Sequence, residues 1–208
     1  GSEFINNKNA VFEAEATGSG SFAAALQVGR PNSDMVEVPS YVLNDIEGTL
    51  TLTASAPDGG AHGIYQSAGK IENKGTITVE ATGQNVNGVN LASLDLERTT
   101  VVNPEFLNLG NLTITAKALE ETPTESHTAN GLLIETGKFT NTGSLTANVD
   151  VNGTARGIRV ENGTFANAKG APTNLNVKSE REAYTTGFAG GVEILSNSTF
   201  DNAGVLNI

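Results

Sequence analysis

The chain contains no cysteine and no tryptophan, and aromatic residues make up only 5% of its 208 residues. The absence of cysteine excludes disulfides, thiolate catalysis and cysteine-ligated zinc sites. Large side chains are too few for one thick globular core, whereas glycine, asparagine, threonine and alanine are abundant. This composition favours a thin core that is stacked many times over.

Basic residues are also scarce, and they are scattered singly along the chain. The 12 basic and 23 acidic residues give a formal net charge of −11. Because phosphate backbones would be repelled, we expect no nucleic-acid partner. No apolar run approaches the roughly 18 residues that a membrane span requires. Residues 1–4, Gly-Ser-Glu-Phe, are typical of a cloning scar, so we expect a single domain over 5–208 that is a piece of a longer protein.

One phrase recurs along the whole chain. Its clearest copy is Gly69-Lys-Ile-Glu-Asn-Lys-Gly-Thr-Ile-Thr-Val-Glu-Ala81, and a second clear copy begins at Gly137. The first apolar residues of the copies lie at positions 5, 43, 71, 106, 139, 165 and 200, which indicates seven repeats of uneven length. A second phrase lies between successive copies, as in Gly88-Val-Asn-Leu91. Each repeat therefore contains three short apolar pieces.

Apolar and polar residues alternate within each piece, as they do in half-buried strands, and no window has the periodicity of an amphipathic helix. A single repeat cannot bury its own apolar face, but strands stacked about 4.8 Å apart can. The sequence therefore predicts an all-β fold, a right-handed parallel β-helix of about seven coils with three short strands each.

The same alternation predicts that one polar residue of each repeat points inward. Asn73 shares the parity of Ile71, Ile77 and Val79, so its amide is expected inside, at a corner. Amides stacked at one corner can hydrogen-bond each other and satisfy buried polar groups. The predicted structural ladder consists of Asn7, Asp45, Asn73, Asn108, Asn141, Asn167 and Asn202.

These Gly-x-(Phe/Ile)-x-Asn-x-Gly-x-(Leu/Ile) phrases, together with the missing cysteine and the acidic balance, resemble the passenger regions of Gram-negative autotransporters. The resemblance implies a parallel β-helix on the bacterial cell surface or secreted from it. It also implies an outer-membrane barrel elsewhere in the same polypeptide. Many passengers of this family are adhesins or mediate self-aggregation, although the scaffold also carries enzymes.

Two long insertions, 29–42 and 92–105, leave from equivalent corners of the predicted coils. Because most of a solenoid repeat is structural, such departures are where binding is expected. A hairpin-like lid that covers the flank of the rod is the alternative. The residues predicted for binding are Met35, Glu37, Tyr41, Leu94, Asp95, Glu97 and Arg98.

Catalytic and metal-binding signals are weak. We predict that His62 lies in a turn, after Pro57 and Asp58. His127 follows three glutamates, and we interpret this segment as a solvated acidic loop rather than a cation or acid-base site. No metal site, no cofactor and no enzymatic activity are therefore predicted.

The sequence favours an adhesin fragment that binds a host-surface protein or glycan, or another copy of itself on a neighbouring cell. Many weak contacts along a repetitive surface are sufficient for such a role, since avidity multiplies them. The first alternative is a structural stalk that presents another domain. The second is a β-helical enzyme that acts on polysaccharides.

Overall fold

The computed structural model describes residues 2–31, 37–38, 40–92, 103–118, 127–180 and 188–208. These residues form 19 strands and no helix. None of them therefore offers a helical segment long and apolar enough to cross a membrane. The strands are β1 (Glu3–Asn6), β2 (Asn9–Glu15), β3 (Phe22–Val28), β4 (Arg30–Pro31), β5 (Glu37–Val38), β6 (Tyr41–Asn44), β7 (Thr49–Gln66), β8 (Lys70–Asn73), β9 (Thr76–Leu91), β10 (Glu105–Asn108), β11 (Asn111–Ala118), β12 (His127–Ile134), β13 (Gly137–Asn141), β14 (Ser144–Val160), β15 (Gly163–Asn167), β16 (Pro172–Glu180), β17 (Phe188–Ile194), β18 (Thr199–Asn202) and β19 (Val205–Asn207).

One sheet collects the first strand of every repeat. Its seven strands lie in the order β1-β6-β8-β10-β13-β15-β18, and all of its pairings are parallel. The register joins equivalent residues, so Phe106 pairs with Ile71 on one side and with Phe139 on the other. Glu3 and Phe4, which we assigned to a cloning scar, lie in β1 and pair with Tyr41 and Val42.

A second sheet contains the remaining parallel strands, in a ten-stranded arrangement with the path β19-β16-β14-β11-β9-β7-β2. Strands β9, β11, β14 and β12 form a closed ring of pairings. The two ends of a long strand pair with different strands. Residues 76–83 of β9 pair with β11, and residues 85–91 of β9 pair with β12.

Three short strands per repeat were predicted, but β7, β9 and β14 each run through the second and third apolar pieces without a break. A register shift between Ala56 and Gly60 marks the junction in β7, and the strand continues through it. The predicted all-β class and parallel pairing are confirmed. One antiparallel pair is described, between β4 and β5, and it lies inside the predicted insertion 29–42.

The core is a set of inward-facing columns, each made of equivalent residues from successive repeats. Four phenylalanines are stacked in one column, Phe106, Phe139, Phe165 and Phe200, with ring centroids 4.9, 5.8 and 4.9 Å apart. A second cluster consists mostly of alanines, such as Ala54, which are small enough for close packing between strands. Successive residues of a strand face opposite sides, so the alternation of the sequence directs every one of these side chains into the core.

Seven asparagines, all buried except Asn202, form a continuous ladder along the corner after the seven-stranded sheet. Each amide donates one hydrogen bond to the next amide, over distances of 2.7 to 2.9 Å. Most of them donate a second one to a backbone carbonyl, as Asn108 does to Ser144 O at 2.9 Å. The members are Asn6, Asn44, Asn73, Asn108, Asn141, Asn167 and Asn202.

The predicted ladder was wrong by one residue in the first two repeats. Asn7 is exposed, and the buried member is Asn6. Asp45 lies in the turn, where its carboxylate accepts a hydrogen bond from Ile46 N at 2.9 Å, and Asn44 is the member. For Asp45 the physical reason is that a ladder member must donate two hydrogen bonds, and an ionised aspartate donates none. For Asn7 the reason is alternation, because Asn6 faces the same side as the core-packed Phe4 and Asn7 faces the opposite side.

Candidate functional site

A column of glycines lies on the inner side of the second sheet, beneath one of its outward faces. Gly63, Gly88, Gly131, Gly157 and Gly191 stand in successive repeats, and a Cβ at Gly88 would lie 2.7 Å from the carbonyl oxygen of Gly131 and would overlap Ile114. The backbones therefore approach closely only because no side chain is present. The residue before each glycine and the second residue after it point outward on either side of this column.

We call this surface the aromatic–arginine face. It comprises the outward residues of β3, β12, β17 and the C-terminal parts of β7, β9 and β14. Three rows of paired residues run along it. The first is Phe22, Gly60, Asn85, Thr128, Thr154 and Phe188; the second is Ala24, His62, Asn87, Asn130, Arg156 and Gly190; the third is Gln27, Tyr65, Asn90, Leu133, Arg159 and Glu193.

The first row, which we call the phenylalanine row, has an exposed aromatic ring at each of its described ends. Phe22 is 51% exposed and Phe188 is 48% exposed. The chain has eight phenylalanines, and the other six pack in or against the apolar core. Between the two rings the row carries only glycine, asparagine and threonine. A floor of small side chains therefore separates two aromatic rings over five strand spacings, or about 24 Å.

Phe22 belongs to a cluster of three rings at one end of the face. Its centroid lies 4.7 Å from that of His62 and 5.8 Å from that of Tyr65, and the last two rings are 5.5 Å apart. Burial lowers the pKa of His62 to about 4, so the imidazole is neutral over most of the pH range. The cluster thus presents an uncharged aromatic surface.

Amides occupy the middle of the face. Asn130 donates a hydrogen bond to Asn87 Oδ1 at 2.7 Å, and Asn90 donates one to Glu135 at 3.1 Å. The side-chain oxygens of Asn90 and Asn130 are buried and have no hydrogen-bond partner in the described part of the chain. Buried acceptors of this kind are costly unless something donates to them.

The other end of the face carries paired charges beside Phe188. Arg156 and Arg159 both form ion pairs with Glu193, and Arg159 Nε also lies 2.7 Å from Glu161. The guanidinium carbon of Arg156 lies 5.8 Å from the ring centroid of Phe188, within cation–π range. Two arginines and two glutamates leave this end without net charge.

The structure describes the side chain of only one of the residues predicted for binding, Tyr41. Met35, Leu94, Asp95, Glu97 and Arg98 lie outside the described residues, and of Glu37 only the backbone, in β5, is described. Tyr41 lies on the outer side of the seven-stranded sheet, where its hydroxyl donates to Glu72 at 3.4 Å. Lys70 and Lys74 pair with the same glutamate. Tyr41 therefore belongs to a different sheet from the aromatic–arginine face.

Neither histidine lies where the sequence suggested. His62 is not in a turn but within β7, because the glycines before it form a register shift that continues the strand. His127 is a buried residue at the start of β12, and the glutamates before it lie outside the described residues. No group of three or more metal-ligating side chains occurs in the described ranges.

A polar groove of about 430 Å³ runs beside the end of insertion 92–105. Asn103, Thr136, Lys138, Asn162 and Asn197 are among the residues that line it. Its lining contains no aromatic ring. It therefore offers hydrogen bonds but no large contact surface, and it is the weaker of the two candidates.

The sequence contained a signal for the aromatic–arginine face that the interpretation did not use. Aligning the second phrase on its glycine places His62, Asn87, Asn130 and Arg156 in one row. The insertions, in contrast, mark loops and do not point to these strands.

Comparison with known proteins found no relative. No family model matches the chain, and neither the curated proteins nor the solved structures contain a match.

Proposed function

We propose that this chain is part of a surface-exposed or secreted adhesin, built as a right-handed parallel β-helix of seven coils, which attaches through its aromatic–arginine face. Attachment to a host-surface molecule is the leading case, and association with another copy is the second form of the same function. The role proposed for the face is binding, and its arginines and the glutamates Glu161 and Glu193 are held in ion pairs.

The spacing of the repeats supports the β-helix. The chain returns to the same ladder corner every 26 to 38 residues, and each return brings a parallel, in-register strand. A parallel return needs a crossover connection, and crossovers in one sheet are almost always right-handed. The seven-stranded sheet contains one strand from each repeat, which supports a count of seven coils.

The observation that carries the function is the position of the phenylalanines. Six of the eight are used in the core, and the remaining two are exposed at the two described ends of one surface row. Exposed aromatic rings and arginines are enriched where proteins bind partners. A structural stalk has no need of them.

The resemblance of the repeats to autotransporter passengers supports the same conclusion, since many such passengers are adhesins. A surface location would also give the protein many copies per cell, so weak individual contacts would suffice.

Attachment of coated beads tests the proposal. Fluorescent beads carrying the purified chain are expected to adhere to epithelial monolayers or to aggregate, and the soluble chain should compete with either process. Beads carrying the chain after denaturation are the control. Coated beads that neither adhere nor aggregate would contradict an adhesive function and would favour the stalk.

A further inference from the structure

We propose that the second sheet carries an ice-binding surface, formed by a regular array of threonine hydroxyls on four successive coils. This activity goes beyond the attachment proposed above and uses a different surface. The array lies on the outward side of β11 and of the N-terminal parts of β7, β9 and β14, where outward and buried residues alternate. We call it the threonine array. Its first row is Thr49, Thr76, Asn111 and Ser144; its second is Thr51, Thr78, Thr113 and Thr146; its third is Thr53, Glu80, Thr115 and Asn148.

Threonine occupies eight of the twelve positions of the array, including the whole of its second row. The array ends inside the described sheet on both sides. Strand β2 continues the second row with Val11, and β16 continues it with Asn174. The extent of the array is therefore set by the sequences of the inner coils.

The structure holds the rows at constant spacings. Residues 49–56 of β7 pair with β9 without a register shift, and β9, β11 and β14 continue the same register. Hydroxyls of one row therefore recur about every 4.8 Å across the strands, and those of adjacent rows are about 6.6 Å apart along a strand. Beneath the array, Leu50 and Ile77 are completely buried and anchor the strands.

The asparagine ladder supports a flat array. It runs through the same four coils, and its hydrogen bonds from Asn44 to Asn73, Asn108 and Asn141 measure 2.8, 2.7 and 2.7 Å. Side-chain ladders of this kind are among the features that keep a sheet from twisting. Equal bonds in successive coils therefore preserve the spacing of the hydroxyls outside.

A surface that repeats in two directions matches a lattice rather than a single chain molecule. On the prism faces of hexagonal ice, water oxygens recur in perpendicular rows at two spacings close to those of the array. A peptide or polysaccharide chain would follow one row and would gain nothing from the equal spacing of three. The regularity of the array thus favours a crystalline partner.

The chemistry of the array suits water in particular. A threonine hydroxyl both donates and accepts hydrogen bonds, as water does. None of the threonine hydroxyls of the array has a hydrogen-bond partner within the described part of the chain, so all of them can bind lattice water. Glu80 is the one charged residue among the twelve, although the whole chain has a formal charge of −11. A neutral partner fits such a surface better than an ion or a polyelectrolyte.

Thermal hysteresis of the purified chain tests the inference. We expect ice crystals in its solution to freeze at a lower temperature than they melt, and we expect recrystallisation of fine-grained ice to be inhibited. The double variant Thr78→Lys with Thr113→Lys places two long charged side chains in the centre of the array. It should reduce the hysteresis at least about fivefold, because the lysines hold the lattice away from the remaining hydroxyls.

Thr140→Lys is the matched control, since Thr140 also faces outward and is half-buried, but lies in the seven-stranded sheet. It should retain the full hysteresis, and circular dichroism should be unchanged in every variant. Attachment of beads should also be unaffected by the double variant, which leaves the aromatic–arginine face intact. Absence of both hysteresis and recrystallisation inhibition in the original chain, or an equal loss with Thr140→Lys, would overturn the inference. So would a dimer in sedimentation that the double variant abolishes, because the partner of the array would then be a second copy.

Discussion

Replacement of one ladder asparagine, Asn108→Asp, probes the energetic contribution of the buried amides. Asn108 is completely buried, accepts from Asn73 at 2.7 Å, and donates to Asn141 Oδ1 at 2.7 Å and to Ser144 O at 2.9 Å. The substitution preserves shape but removes both donors. Each of the two abandoned acceptors costs about 1–3 kcal/mol, so we expect a loss of about 4 kcal/mol in the free energy of unfolding at pH 7.

The loss should also depend on pH. Burial among carbonyl oxygens raises the pKa of the new carboxyl at position 108 above its unfolded value of about 3.9. A raised folded pKa means that the folded state binds the additional proton, so the variant regains stability as the pH falls. The protonated carboxyl also recovers one donor. The deficit relative to the original chain should therefore be smaller at pH 4 than at pH 7.

Urea denaturation followed by circular dichroism, at both pH values, measures these differences. Asn176→Asp is the matched control, because the exposed Asn176 amide donates to Asn148 at 2.8 Å on the surface, and its loss should cost no more than about 0.5 kcal/mol. The reasoning is refuted if Asn108→Asp is as stable as the control, or if its deficit is as large at pH 4 as at pH 7.

Two further predictions concern the aromatic–arginine face. Gly88→Ala should destabilise the chain by about 2–3 kcal/mol in urea unfolding, because its Cβ would overlap Ile114. A Cβ at Gly60 would make only ordinary contacts, the nearest at 3.7 Å, so Gly60→Ala should change the stability by no more than about 0.5 kcal/mol. Equal effects of the two substitutions would disprove the close-approach argument. Burial lowers the pKa of His62 to about 4 in the folded chain, whereas its unfolded value is about 6.5. Between these two pH values the unfolded chain therefore binds a proton that the folded chain does not bind. Stability should therefore decline by about 3 kcal/mol more in the original chain than in His62→Asn between pH 7 and pH 4, and parallel declines would contradict it.

Strict alternation made most of the ladder predictable from sequence. Phe4, Asn6, Ala10 and Phe12 share one parity, as the strand pairings require. The predicted alignment instead placed Ile5 and Asn7 in the core together with Ala10 and Phe12, which have the opposite parity. The error arose because two adjacent polar residues follow the apolar position in the first two repeats. The donor requirement of the ladder distinguishes Asn44 from Asp45. Asn6 and Asn7 are chemically identical, and only their parity relative to Phe4 distinguishes them.

The candidate face could not be predicted from the insertions in the sequence. A change in loop length shows where a chain departs from its repeat, but not which strands it lies beside. The phenylalanine row depends on pairing between residues up to 166 positions apart, from Phe22 to Phe188, through four intermediates. Only an alignment of the second phrase across all repeats would have brought its members together.

Attachment through the aromatic–arginine face is most directly tested by comparing three bead preparations with equal amounts of protein. They carry the original chain, the double variant Phe22→Ala with Phe188→Ala, and Leu109→Ala. We expect the double variant to leave at least about tenfold fewer beads attached or aggregated, and Leu109→Ala to match the original chain. Undiminished attachment by the double variant, or an equal loss with Leu109→Ala, would contradict the account.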